Sequence, residues 1–144
     1  MRMRTKLIGL AGVVAVVGAG VLAASPALAE GQFNTQWRNA YINSTTPAYQ
    51  DSQIDNVSTQ IVFSGCSYSN GLGFSSVGPQ LWDQHGAFPD TNVGEPKTNS
   101  CGSSSWSHSS YSFGSDTYFV QLVKFNNSYS APGITFTADS TTYY

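Results

Sequence analysis

The chain has 144 residues, 40% of them hydrophobic, 13% aromatic and only 10% charged, with six Lys/Arg against eight Asp/Glu. That length holds one small domain rather than two. The acidic balance argues against binding nucleic acid or an anionic membrane surface, both of which need Lys and Arg to neutralise phosphates.

Residues 1–29 read as a secretory signal peptide. Arg2, Arg4 and Lys6 form a positive start, Leu7 to Leu22 is an apolar run, and Ala27-Leu28-Ala29 is a small-x-small cleavage pattern. Its removal leaves 115 residues with three cations (Arg38, Lys97, Lys124) and all eight carboxylates, a net charge of −5. No second apolar run approaches the roughly 20 residues of a membrane span, so the expected product is secreted and has no membrane partner. All nineteen aromatics stay in that product. With abundant Ser, Thr and Asn and little charge, they predict an all-β protein.

Residues 30–56 form an N-terminal arm or a first strand. Phe33, Trp37 and Tyr41 recur at a spacing of four, which falls on one face of a strand, and Arg38 lies among them. The Asn-rich filling offers no helix start. An extended arm with aromatics on one side can add to a partner's sheet, so Phe33, Trp37, Arg38 and Tyr41 are candidate partner-binding residues. The alternative is an ordinary first strand of the chain's own sandwich.

Residues 57–144 are expected to form a small β-sandwich-like domain. Val57 to Phe63 alternates as a strand and runs into Cys66. Cys66 and Cys101 are the only cysteines, 35 residues apart in a chain read as exported, so they are expected to form one disulfide. That bridge would tie the end of one strand to the start of another.

The stretch 67–100 between them reads as a long loop rich in Gly and Pro, holding a short strand at Gln80-Leu81-Trp82. Within it Trp82, Asp83 and His85 are a possible ligand group, since Asp83 and His85 share a strand face. Leu81 and Trp82 are otherwise read as buried. Trp106 to Phe113 reads as a polar strand. Asp116 to Phe125 predicts a central strand covered on both sides. Turn residues 126–133 then lead to Ile134–Ala138, and the two strands read as a hairpin.

No catalytic constellation stands out. His85 and His108 are the only histidines, there is no phosphate loop and no GxSxG, and neither a metal site nor a cofactor is expected. The chain therefore reads as a non-enzymatic adaptor or structural subunit whose partners are other secreted proteins, docked through the arm and strand edges. A carbohydrate-binding module is the second reading: Gln80-Leu81-Trp82 matches the QxW pattern of trefoil lectins, though only once. An inhibitor of an extracellular enzyme, inserting the loop 67–100, is the third.

The arm Phe33, Trp37, Tyr41, the strand Val57 to Phe63 and the closing hairpin Thr117 to Ala138 together resemble in layout the small bridging subunit of the umbrella toxin particles of Streptomyces, an actinobacterium. That resemblance implies a compact β-domain linking a ring-and-stalk toxin subunit to lectin-like spoke subunits. It carries no site residues of its own.

Overall fold

The computed structural model describes residues 31–51, 58–107 and 117–144. The expected signal peptide, Val57, His108 and most of the Trp106–Phe113 segment lie outside the described residues. Eight strands occur in chain order: β1 (Gln32–Ala40), β2 (Tyr49–Gln50), β3 (Thr59–Tyr68), β4 (Val77–Asp83), β5 (Thr91–Val93), β6 (Ser103–Trp106), β7 (Thr117–Phe125) and β8 (Phe136–Tyr143). They form two four-stranded antiparallel sheets, β1-β8-β3-β6 and β2-β7-β4-β5, with no helix among the described residues. The protein is an all-β sandwich.

Alternation fills the space between the sheets. β7 turns Tyr118, Val120 and Leu122 inward, and β3 turns Thr59, Ile61 and Phe63 inward. β8 contributes Phe136 and Ala138, then the hydroxyl residues Ser140 and Thr142, all buried. Aromatic contacts join the sheets, as where Tyr68 and Phe136 meet Phe125 at 5.0 and 6.0 Å between centroids. Tilted and edge-on pairs of this kind are favoured by the ring quadrupole.

Three departures from the sequence reading have physical causes. First, β7 and β8 do not form a hairpin: they lie in opposite sheets, so residues 126–135 cross the sandwich. Asn126 and Asn127, both with positive φ, and the 126–128 turn begin that crossing. Second, β7 is central in its sheet but buried fully on one face only. A bulge opposite Gly78/Pro79 places an extra β7 residue there and turns Phe125 into the core instead of onto the Phe119 face. Pro79 fits a strand at such a bulge, where a ladder N–H is not required. Gly78 is needed for space, because a Cβ there would lie 2.6 Å from the Lys124 Cβ.

Third, the stretch 67–100 is not one loop. It contributes the end of β3, all of β4 and β5, and an N–H of Lys97 that bonds the Pro79 carbonyl at 3.0 Å. The polar strand after Cys101 begins at Ser103, upstream of its expected place.

The Cys66–Cys101 disulfide is present, with Cα atoms 5.8 Å apart. It fastens the late part of β3 to the chain just ahead of β6, its ladder neighbour. On the chain-entropy model a closed loop of 35 residues contributes about 3–4 kcal/mol through the unfolded state. No helix among the described residues is long and apolar enough to cross a membrane.

Candidate functional site

The segment read as an arm or a first strand is a first strand. β1 pairs antiparallel with β8 from Gln32↔Tyr143 to Ala40↔Phe136. Trp37 is only 3% exposed, its ring 6.2 Å from that of Phe63, and its Nε1–H donates to the Ser140 hydroxyl at 2.9 Å. Phe33 packs at 5.4 Å on Tyr49. These two expected partner-binding residues are thus committed to the chain's own core, which corrects the docking role read for them. Arg38 Nη2 donates to Asp139 Oδ1 at 2.6 Å, so it too is engaged within the molecule.

Tyr41 differs. A bulge between Trp37 and Ala40, with Asn39 at φ 52°, shifts the alternation so that Ala40 turns inward. The face shared by Phe33 and Trp37 therefore ends before Tyr41, which is 58% exposed. It borders a notch of about 260 Å³ lined also by Ile42, Tyr129, Ala131 and Pro132. Tyr129 is 64% exposed, and the Lys124 ammonium sits 4.5 Å from its ring centroid.

The rest of β1 is an open edge. Gly31 and Tyr144 exchange both backbone hydrogen bonds, at 2.8 and 3.0 Å. In an antiparallel ladder such pairs alternate with non-bonded ones, so the N–H and C=O of Gln32, Asn34 and Gln36 point away from β8. No strand among the described residues pairs with that side of β1. The sequence signal for this edge was the alternating amide run Gln32, Asn34, Gln36. Tyr129 carried none, since it reaches the notch only through the crossing 126–135.

The residues Trp82, Asp83 and His85 are divided by the fold. Trp82 lies on the outer face of its sheet, half-buried, and stacks at 6.3 Å on Phe119, its ladder neighbour. It is not the core residue the sequence indicated. Gln80 shares that outer face but is covered, its Nε2 donating to the carbonyls of Leu81, Val93 and Gly94. Its amide nitrogen is used within the protein and the side chain is buried, so the QxW pattern does not present a sugar platform here.

Asp83 and His85 do come together. Asp83 is 3% exposed, and its Oδ2 lies 3.4 Å from His85 Nε2. The same Nε2 lies 3.1 Å from Thr91 Oγ1, while the His85 backbone N–H donates to Asp90 Oδ1 at 3.1 Å. A relay from acid to imidazole to hydroxyl needs the two partners on different ring nitrogens. Here both meet Nε2, a geometry that holds the β4–β5 turn closed and does not activate Thr91. Among the described residues no group of three or more His, Cys, Asp or Glu is placed to hold a metal.

Beside this pair the end of the core is polar. Tyr49 donates to Thr59 Oγ1 at 3.2 Å, and burial pushes its phenol well above the usual tyrosine range. Comparison with protein-family models, curated proteins and solved structures finds no match to this chain.

Proposed function

We propose that the protein is a non-enzymatic, secreted adaptor subunit of an extracellular assembly. An extended segment of a partner protein adds alongside β1, and one of its apolar side chains fills the notch between Tyr41 and Tyr129. The observation that carries this reading is the run of outward N–H and C=O groups on Gln32, Asn34 and Gln36, unpaired among the described residues, in the strand that leads into the aromatic notch at Tyr41. Strand addition draws affinity from such backbone groups and selectivity from pockets beside them. Large tyrosine rings add contact area at small entropic cost. The disulfide fits an oxidising, extracellular setting.

The test is purification of the tagged full chain from the culture supernatant of its producer, with mass spectrometry and size-exclusion chromatography. The expected result is a stoichiometric second protein, lost with Gln36→Pro and with Tyr41→Ala/Tyr129→Ala while the variants remain folded. Recovery of the wild type alone as a monomer, or equal capture by both variants, overturns the proposal.

A further inference from the structure

The outer face of sheet β1-β8-β3-β6 carries a second feature, which uses the side chains of Asn34 and Gln36 where the β1 edge uses their backbone groups. The registers β1–β8 and β8–β3 align outward residues in rows: Asn34 beside Thr141 beside Val62, and Gln36 beside Asp139 beside Ser64, with Tyr143 flanking them along β8. These residues line a groove of about 300 Å³. Three strands span about 10 Å, the length of roughly two pyranose rings.

The chemistry of the lining is selective. Thr141 Oγ1 donates to Asn34 Oδ1 at 2.8 Å, which leaves the Asn34 amide nitrogen with no protein partner among the described residues. Gln36 likewise presents an amide that combines donor and acceptor. The carboxylate is Asp139, and Arg38 holds its Oδ1 at 2.6 Å, so the groove carries no uncompensated charge. A charged ligand would find no counter-ion to repay its desolvation. An apolar ligand would leave the amides and hydroxyls unpaired. A neutral polyhydroxyl chain satisfies both requirements, since its hydroxyls pair with the amides while a sugar face lies on the half-buried Tyr143 ring. Convergent polar groups beside one flat aromatic are the usual furniture of a ligand groove.

We infer that this face binds a neutral polysaccharide, in an orientation that leaves the β1 edge free for a protein. The experiment uses the full secreted chain in retention assays on insoluble cellulose, chitin, β-1,3-glucan and peptidoglycan, followed by calorimetric titration with the matching soluble hexasaccharide where one exists. Thr141→Val removes a hydroxyl at constant shape, and Tyr143→Ala removes the platform. The expected result is saturable retention on at least one neutral polysaccharide, weakened about tenfold or more by each variant with the melting temperature held. Retention on none of cellulose, chitin and β-1,3-glucan, retention on the charged peptidoglycan alone, or equal retention by wild type and a folded Thr141→Val or Tyr143→Ala chain, overturns the inference. Because these variants lie on β8, their outcome is separable from that of Gln36→Pro and the Tyr41/Tyr129 pair.

Discussion

Sheet β1-β8-β3-β6 ends on one side in a nine-residue strand with no outer neighbour among the described residues, whereas sheet β2-β7-β4-β5 ends in strands of two and three residues. Short edges are one of the standard protections against unwanted pairing, and a long one is a template. Their outer faces differ in the same sense. The first carries a groove lined mainly by amides and hydroxyls, and the second carries the Trp82–Phe119 stack and a buried Gln80 whose amide nitrogen is bonded to backbone. One sheet leaves a long edge and a polar groove open, and the other covers its outer face with its own side chains.

The two tryptophans give the sharpest test of that contrast. Trp37→Ala deletes a fully buried indole and its bond to Ser140, and a cost of about 3–5 kcal/mol is expected. Trp82→Ala removes a half-buried ring from an outer face and should cost about half as much. Urea unfolding of both variants decides it, and equal losses would mean that the outer face of the second sheet is as much a core as the interior.

Reduction of the disulfide comes next. The Cys66→Ser/Cys101→Ser pair should lose about 3 kcal/mol, acting through the unfolded chain. The loss should appear as a lower urea midpoint with the β-sheet circular dichroism signal intact. A change of less than about 1 kcal/mol would show that the β3–β6 ladder restrains the 35-residue segment even when reduced.

These sites also show what was legible in the sequence. The disulfide, the strands around Ile61, Leu81 and Val120, and the Asp83–His85 pair followed from composition and period-two spacing. The face shared by Phe33 and Trp37 was legible too, but not whose core it enters, because cis and trans pairing demand the same alternation. The β7–β8 crossing was misread for a related reason: Asn126-Asn127-Ser128 reverses the chain whether the next strand pairs beside β7 or in the facing sheet. Ser140 and Thr142 lie beyond the expected strand Ile134–Ala138, yet they are buried in β8, and Ser140 serves as the acceptor for the Trp37 indole. The bulges at Asn39 and opposite Gly78 each shift the alternation by one residue, and only the ladder reveals them.

Alkali tests the seam between the sheets. Tyr68, on β3, donates its hydroxyl to the Ser76 carbonyl and accepts from the Asn126 N–H, both on the side of the other sheet. Burial is the main cause that pushes its phenol up from 10.0 to about 12, against a smaller opposing effect of the Asn126 bond. The unfolded chain then releases its proton near pH 10 while the folded one keeps it. Stability should therefore be full below about pH 10 and fall as the pH rises toward 12, with Tyr49 acting in the same direction. Urea midpoints between pH 8 and 11.5 should decline, and less steeply in Tyr68→Phe. A flat profile in the wild type would refute a seam closed by protonated phenols.

The smallest expected effect on stability is the most informative about the open edge. Gln36 stands opposite Asp139 in a non-bonded pair, so its N–H points away from β8 and contributes no ladder bond. Proline is tolerated on an edge strand on that side, and Gln36→Pro should cost no more than about 1 kcal/mol, chiefly from its fixed φ. Thr35→Pro, one residue earlier, would remove an N–H that bonds Ser140 across the ladder, and should cost about 3 kcal/mol. Thermal unfolding of the two variants reads the phase of the strand directly. If Gln36→Pro is the more damaging, the N–H groups assigned to the free side face β8, and the template for a partner strand is lost with them.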